Sequence, residues 1–368
     1  MRPVWAEVNL ENIRHNFREV KRLARMAEAM PVIKANAYGH GAVEVAKALI
    51  GEGAKRFAVA ILDEGIKLRE AGIEAPILIL GYTPPEEVEK LLFYNLTPTL
   101  HHRELALAYQ EKLEKFKKTL SYHLKIDTGM GRIGFWYEEI EKIEEVLKLK
   151  NLEMEGVYTH FARADEQDLS FSKLQIERFN IVLDHLETKG VEVKYRHAAN
   201  SAAIMRLPEA HYDLVRPGIM LYGEYPSREV PRELAHLKPA LTLKARVSQV
   251  KKVPAGFPVS YGSTYVTFKS TLIVSLPLGY ADGYFRRLSN QGMVLLNGKR
   301  WPVAGRVCMD QLMVAVDETE RVMPGDEVVL LGKQGEETIT ATEVADLVGT
   351  INYEVLTNIS YRVPRIYV

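Results

Sequence analysis

Residues 31–41 read PVIKANAYGHG, a short apolar run that ends in a lysine and leads into a loop containing glycine. Similar β-rich runs, each followed by a longer amphipathic stretch, recur up to about residue 225. Strands that alternate with helices predict right-handed crossover connections and a parallel sheet. The eight β-rich runs are residues 31–36, 57–62, 75–80, 96–100, 120–127, 154–161, 191–200 and 212–216.

This pattern predicts an α/β fold of the TIM type, a closed (β/α)8 barrel. Eight strand–helix units of this length come close to the roughly 250 residues that are typical of such barrels. A further helix is predicted over residues 10–27, ahead of the first unit. We therefore place a barrel domain over residues 1–237.

The pattern changes after residue 237, where predicted strands are separated by turn signals such as Asn297-Gly298. Only residues 341–348 are predicted to form a helix in this part of the chain. We therefore predict a mostly-β C-terminal domain over residues 238–368. Its predicted strands include residues 241–253, 271–276, 293–303 and 327–331.

Composition excludes several classes of function. Lys+Arg and Asp+Glu both number 48, so the chain has no excess positive charge for nucleic acid or an anionic membrane surface. No apolar run approaches the roughly 18 residues of a membrane-spanning helix. The single cysteine, Cys308, excludes an internal disulfide and is typical of a reducing compartment, so we expect a cytoplasmic protein.

Polar residues follow several of the predicted barrel strands, where the active sites of TIM barrels lie. Any one of them could be a solvated loop or a satisfied core residue, but five on one rim favour a functional site. These groups are Lys34, residues 127–134, His160, residues 200–201 and residues 216–218.

Lys34 ends an apolar strand, so its amine should lie against a poorly solvated wall. Burial disfavours the ammonium form and should lower its pKa, which yields the free amine that Schiff-base chemistry requires. A lysine that merely extends to solvent at the barrel rim is an equally good explanation when Lys34 is considered alone.

The loops after the seventh and eighth strands offer a place for a phosphate, as in many barrels. Ser201 stands at the start of a predicted short helix, and Gly218 and Ile219 have free backbone N–H groups. A lysine on the first strand with a phosphate cup opposite it is the arrangement of a pyridoxal-phosphate site.

One motif supports an alternative. Residues 129–134, GMGRIG, match the dinucleotide fingerprint, and Glu153 lies about 20 residues further on. The motif sits at the fifth strand of a continuous barrel pattern, so a nicotinamide-dependent dehydrogenase is the weaker interpretation. Motifs for zinc, metalloproteases or P-loops are lacking, and no metal is predicted.

The ordered set of motifs resembles the alanine racemase family of bacteria along essentially the whole chain. The resemblance implies pyridoxal 5'-phosphate as the cofactor and interconversion of L- and D-alanine, which supplies D-alanine for peptidoglycan. The matching stretches are VIKANAYGHG (32–41), KIDTGMGRIG (125–134), HAANS (197–201), VRPGIMLYG (215–223), VSYG (259–262), LGYADG (278–283), CMDQ (308–311) and NYE (352–354).

The resemblance implies two catalytic bases. Lys34 would hold the cofactor and act on one face of the substrate Cα, while Tyr261 would act on the other face. Because Tyr261 would come from the partner subunit, the active protein would be a homodimer with shared sites. Removing a proton from one face and returning it to the other is what racemisation requires.

The remaining implied roles concern binding. Arg216 would contact the cofactor's pyridine nitrogen, and His160 would lie beside the ring and brace Arg216. Lys125 matches a position that is often carbamylated in the family, where the carbamate would pair with Arg132. Arg132 would contact the cofactor's phenolic oxygen and help receive the substrate carboxylate. Phosphate ligands would be Tyr38, Ser201, Gly218, Ile219 and Tyr353; further substrate contacts would be Met309, Asp310 and Tyr280.

Three further alternatives share these motifs or this fold. A serine or broad-specificity racemase would differ only in its substrate profile. A barrel-type decarboxylase would be expected to have an acid where Arg216 stands. A non-catalytic pyridoxal-phosphate carrier would keep Lys34 but usually lacks the β domain that carries Tyr261.

Overall fold

The computed structural model describes residues 3–368 and divides into two compact units. The barrel unit comprises Ile13–Ala37 and Ala42–Lys238. The β-rich unit comprises the described residues up to Asn12, Tyr38–Gly41 and Pro239–Val368. The predicted division at residue 237 therefore did not include the N-terminal segment and Tyr38–Gly41 in the β-rich part.

Eight parallel strands close the barrel, which confirms the predicted fold. Six of them pair in one continuous ladder and two in another. The parallel bridges Val32–Ala58 and Leu78–Thr97 join the two ladders into a ring. In chain order the strands are Glu28–Ala29, Phe57–Val59, Ile77–Ile79, Thr99–Leu100, Leu120–Asp127, Leu152–Tyr158, Tyr195–His197 and Leu214–Val215.

Helices connect the strands. These segments are helical because their apolar residues recur at helical spacing and are buried along one face. In Ser170–Thr188, for example, Phe179, Val182 and Leu186 are fully buried. A short strand, Phe135–Trp136, adds to Leu120–Asp127. The helices up to residue 238 are Leu10–Ala24, Ala42–Gly51, Leu62–Glu70, Val88–Phe93, Arg103–Phe116, Ile140–Leu147, Ser170–Thr188 and Ser201–Arg206, with the turn Lys34–Tyr38.

The β-rich unit is built mainly from antiparallel strands, as predicted. Its seven-stranded sheet contains Val4–Val8, Leu241–Arg246, Met293–Leu296, Lys299–Pro302, Glu327–Gln334, Glu337–Ile339 and Arg365–Tyr367. A three-stranded sheet contains Gln249–Val253, Thr271–Leu276 and Leu312–Asp317, and Pro258–Val259 pairs with Tyr265–Val266. Its helices are Ala341–Val348 and Asn352–Thr357.

The strand Val4–Val8 explains why the first described residues belong to the β-rich unit. It pairs antiparallel with Leu241–Arg246 and parallel with Arg365–Tyr367. Val4, Ala6 and Val8 are fully buried, since alternate residues of a strand point to one face. A strand formed by pairing with segments more than 200 residues away leaves little local signal in the sequence.

No helix among residues 3–368 is both long enough and apolar enough to cross a membrane.

Candidate active site

A left-handed helical turn follows the first barrel strand. Ala35, Asn36 and Ala37 have φ between 50° and 55°, and each costs roughly 1–2 kcal/mol relative to a right-handed conformation. The extended run predicted over residues 31–36 is therefore wrong from Lys34 onward. Backbone strain of this kind is typical of functional sites, where the surrounding structure maintains it.

Hydrogen bonds hold this strained turn in place. The Ala37 amide donates to the Ile33 carbonyl at 2.9 Å. Glu64 accepts from the Ala35 amide at 2.5 Å and, through its other oxygen, from the Ala60 amide at 2.8 Å. Glu64 thus ties the turn to the start of the helix Leu62–Glu70, and this orients Lys34 at the C-terminal end of its strand.

The Lys34 amine lies in an environment that disfavours a positive charge. Burial is the main cause of its lowered pKa, and the charge of Arg132 acts in the same direction, while Glu64 partly offsets both. The expected depression of this pKa is thereby supported by the geometry of the barrel. A larger fraction of unprotonated amine is the form that attacks an aldehyde.

Further basic side chains gather around the same end of the barrel. Lys125 is buried, and burial together with the charges of Arg216 and Arg132 holds its pKa well below the usual value. His160 also has a pKa well below its usual range, because burial and the charge of Arg216 both disfavour the imidazolium. The guanidinium groups of Arg132 and Arg216 keep their charge, and they make this end of the barrel a setting for an anionic ligand.

Arg216 is held rigidly on four acceptors. Nη1 donates to His197 Nδ1 at 2.8 Å, and Nη2 donates to the carbonyl oxygens of Thr159 and Ala198 at 2.7 and 2.8 Å. His160 Nδ1 lies 3.3 Å from Nη2. Burial lowers the pKa of Arg216 to about 10, so the guanidinium remains a cation at neutral pH.

The predicted phosphate loops meet within the barrel unit. The Ser201 hydroxyl, which is almost fully buried, accepts from the Gly218 amide at 2.9 Å and lies 3.4 Å from the Met220 amide. Ile219 begins a short 3-10 helix that ends at Tyr222. Asn200 caps the helix Ser201–Arg206 by accepting from the Ala203 amide.

The β-rich unit places the other predicted residues in two groups. The rings of Tyr38 and Tyr353 lie 6.1 Å apart. Tyr280 and Met309 lie on loops that are joined by hydrogen bonds from the Tyr280 amide to the Cys308 carbonyl and from the Ala281 amide to the Met309 carbonyl, both at 3.0 Å. Asp310 forms an ion pair with Arg362 at 2.7 Å.

Tyr261 follows Ser260, and Ser260 contacts the loop that carries Met309. The Ser260 hydroxyl donates to the Arg306 carbonyl at 2.6 Å and lies 3.6 Å from Cys308 Sγ. The Tyr261 side chain is 70% exposed, which is unusual for a large aromatic residue.

The sequence analysis gave no role to several residues that shape this site. His197 was noted only as part of a motif, and Glu64 and Thr159 were not noted. His197 shares a strand end with Asn200 and Ser201, so its position could have identified it. Glu64 acts on Lys34 across the barrel wall, and only the folded chain brings the two close.

Comparison with known proteins supports one family over the whole chain. Residues 8–226 match the family profile described as alanine racemase, N-terminal domain, and residues 240–367 match alanine racemase, C-terminal domain. A curated alanine racemase of Carboxydothermus hydrogenoformans is 92% identical over 368 residues, covering all of both chains.

Solved structures give the same result. An alanine racemase of Clostridium difficile 630 has a TM-score of 0.95 and 42% identity, covering 100% of this chain and 96% of its own. A Bacillus anthracis alanine racemase with bound L-Ala-P has a TM-score of 0.95 and 43% identity, with coverage of 100% and 95%. The barrel with its β-rich C-terminal part is the fold of an amino-acid isomerase family. The chain belongs to the alanine racemase family.

Proposed function

We propose that this protein interconverts L- and D-alanine with pyridoxal 5'-phosphate bound at the C-terminal end of the barrel. The observation that carries the proposal is the convergence of Lys34, whose pKa is lowered, with the buried guanidinium of Arg216 at one barrel mouth. We further propose that the product D-alanine serves peptidoglycan synthesis and that the protein is cytoplasmic.

The residues at the barrel mouth fit this cofactor. Lys34 offers an amine for its aldehyde, while Ser201, Gly218 and Ile219 are proposed to bind its phosphate. Arg132 and Arg216 supply positive charge near an anionic ligand. Tyr38 and Tyr353 are proposed as further phosphate ligands. When bound, the cofactor delocalises negative charge from the substrate Cα and thereby acidifies its proton.

Two side chains are proposed to move the proton. The Lys34 amine, whose charged form is disfavoured, takes or gives the proton on one face of Cα. Tyr261 acts on the opposite face and comes from the partner subunit. Arg132 and the Met309 amide orient the substrate carboxylate, and crowding by aromatic side chains around Cα restricts the substrate to a small side chain.

Arg216 is proposed to set the reaction type. A guanidinium can only donate, so a pyridine nitrogen facing it must remain unprotonated. With the cofactor held there, an unprotonated nitrogen would weaken the ring as an electron sink and would favour return of the proton to Cα over transamination or decarboxylation. His160, 3.3 Å from Arg216, braces it beside the ring.

Lys125 is proposed to carry a carbamate that pairs with Arg132. Its buried amine has a pKa well below the ordinary value, so the unprotonated form that reacts with carbon dioxide is favoured. The intact mass of the native protein, compared with that of Lys125→Met, tests this modification.

A homodimer is proposed because three residues assigned to the site are exposed on the single chain. The side chains of Tyr261, Met309 and Tyr280 are 70%, 53% and 41% exposed. Large apolar and aromatic groups clustered on adjacent loops are typical of an interface. Tyr280 and Asp310 are proposed to line the substrate entrance there.

The first experiment is chiral analysis of L-alanine after incubation with the protein and pyridoxal phosphate. Accumulation of D-alanine towards an equal mixture, with no D-alanine from Lys34→Ala, is the expected result. Lys47→Ala is the matched control, because Lys47 is exposed and its amine pairs with Glu44 on the surface. L-serine then tests the broad-specificity alternative.

Other results would support the alternatives. Carbon dioxide release without D-alanine would indicate a decarboxylase. Cofactor binding without any reaction would indicate a carrier and would remove the roles proposed for Tyr261 and Arg216. Binding of a nicotinamide cofactor without a pyridoxal chromophore would indicate the dehydrogenase.

A further inference from the structure

A second polar cluster lies inside the barrel, away from the proposed active site. A small cavity there is lined by Arg56, Thr97, His123 and Glu155, among other residues. Arg56 directly precedes the strand Phe57–Val59, so the cavity lies towards the N-terminal ends of the strands. Active sites of this fold occupy the opposite end, and polar residues at this end are usually structural.

A continuous line of contacts connects this cavity to Arg216. Glu155 Oε2 lies 3.6 Å from His123 Nε2, within ion-pair distance. His123 Nδ1 lies 2.8 Å from His197 Nε2, and His197 Nδ1 lies 2.8 Å from Arg216 Nη1. Both imidazoles are almost completely buried, so water cannot substitute for these partners.

The hydrogens along this line can point in only one direction. Arg216 can only donate, so His197 Nδ1 must be a lone pair, and the proton of neutral His197 is on Nε2. That proton faces His123 Nδ1, which must therefore also be a lone pair. The proton of His123 is then on Nε2 and faces the Glu155 carboxylate.

The charge states agree with this direction. Burial lowers the pKa of both His123 and His197, and the charge of Arg216 lowers them further. The contact with His123 is the main cause of the lowered pKa of Glu155, so the carboxylate is ionised at neutral pH. An anion next to Nε2 of His123 favours the tautomer that the line requires.

Neighbouring residues restrict the imidazole rings of His123 and His197, and further charged side chains lie close by. Tyr158 stacks on His197 at 4.7 Å with an angle of 6° between the planes, and a Cβ on Gly156 would lie 2.7 Å from the His123 ring. Arg56 is paired with Glu28 at 2.6 Å and with the Tyr195 hydroxyl at 2.6 Å. Lys194 lies 3.5 Å from Glu155 and is exposed.

We infer that Glu155 and His123 are positioning residues for Arg216, which act from the opposite end of the barrel. The Glu155 carboxylate accepts the last proton of the line, so the arrangement in which His197 presents an acceptor to the guanidinium leaves no buried N–H of the two rings without a partner. This inference rests on the proposed function, because the purpose of a fixed Arg216 is to hold the cofactor's ring nitrogen unprotonated.

Loss of the Glu155 carboxylate should weaken the run of hydrogen bonds from His123 through His197 to Arg216. With Leu at position 155, His123 can place its proton on Nδ1, which then faces the Nε2 proton of His197. Arg216 still requires His197 Nδ1 to be a lone pair, so the hydrogen bond between the two histidines is lost and His197 is held less firmly against the guanidinium. The loss of one hydrogen bond corresponds to about a tenfold fall in kcat.

The test uses the full chain loaded with pyridoxal phosphate and compares Glu155→Leu, Glu155→Gln and Glu153→Gln. Glu153 lies on the same strand but is exposed, so its variant is the matched control. Nitrogen-15 NMR of the histidine side chains reports the tautomer of each ring, and chiral analysis reports kcat and KM separately.

The expected result is one Nε2–H tautomer for His123 and His197 in the unaltered protein and a mixture of tautomers at His123 in Glu155→Leu. We expect kcat of that variant to fall about tenfold while KM for alanine changes less than about twofold. Glu155→Gln should keep the tautomers, since its carbonyl oxygen can still accept from Nε2, and should recover most of kcat.

The inference is overturned if Glu155→Leu keeps both tautomers, or if its kcat equals that of Glu153→Gln. It is also overturned if Gln and Leu at position 155 lower kcat equally, because a loss of packing alone would do that. The tautomer measurement does not require turnover, so a protein without racemase activity would refute the proposed function while leaving this test of the line intact.

Discussion

Replacing Arg216 with lysine tests whether the rigid guanidinium, rather than the positive charge alone, holds the proposed site together. The guanidinium uses two nitrogens, with Nη1 donating to His197 and Nη2 donating to two carbonyl oxygens. An ammonium places all its donors on one nitrogen, so it cannot satisfy both sides. Arg216→Lys should therefore leave one or two buried acceptors without a donor.

The magnitude follows from those acceptors. Each buried acceptor that loses its donor costs about 1–3 kcal/mol, so the loss of one or two should lower the free energy of unfolding by about 1–6 kcal/mol. That is a large part of the roughly 5–15 kcal/mol that stabilises a typical domain. Burial also disfavours the new ammonium, so a share of the lysines would be neutral, and kcat should fall with the stability.

The assay is guanidinium-induced unfolding of the cofactor-free protein, followed by circular dichroism. Arg196→Lys is the matched control, because Arg196 pairs with Asp213 at 2.7 Å while remaining 47% exposed. An exposed pair of this kind contributes about 0–1 kcal/mol. If Arg216→Lys and Arg196→Lys lower the free energy of unfolding equally, the buried acceptors do not hold Arg216 as argued.

Three further outcomes are expected. Below about pH 7 the free energy of unfolding should fall on acidification by up to about 1.4 kcal/mol per pH unit for each of His160 and His197, because their lowered native pKa values mean that the unfolded state takes up protons first. Denaturant midpoints that do not change between pH 7.5 and 5.5 would contradict this. The rate at which cofactor-free protein couples to pyridoxal phosphate, measured by absorbance, should reach its plateau below pH 10.5, since the pKa of Lys34 is lowered from that value; a rate still rising above that pH would show that the amine is ordinary. Gly134→Ala should lower the free energy of unfolding by about 2–3 kcal/mol, because the new Cβ would lie 2.6 Å from a backbone nitrogen. Gly131→Ala is the control: its Cβ would have nothing within 4 Å, so it should cost only about 1 kcal/mol for the positive φ. Equal melting temperatures for the two variants would refute the steric argument.

Local patterns predicted much of this molecule. The alternation of apolar runs with amphipathic stretches gave the barrel because it follows from burial on both faces of a parallel sheet. The positions of Lys34, Ser201 and Arg216 after predicted strands indicated that they share one rim. The strand Val4–Val8 was not predicted, because its partners lie at the other end of the chain.

The sequence by itself therefore determined the fold class, the family and the residues from which a site can be built. Tertiary structure alone decided the left-handed turn after Lys34, the role of Glu64 in holding it and the line from Glu155 to Arg216. The physical reason is that periodicity and motifs record which residues are buried and which are polar. The protonation of a buried group and the direction of its hydrogen bonds depend on neighbours that only the closed barrel brings within 3 to 4 Å.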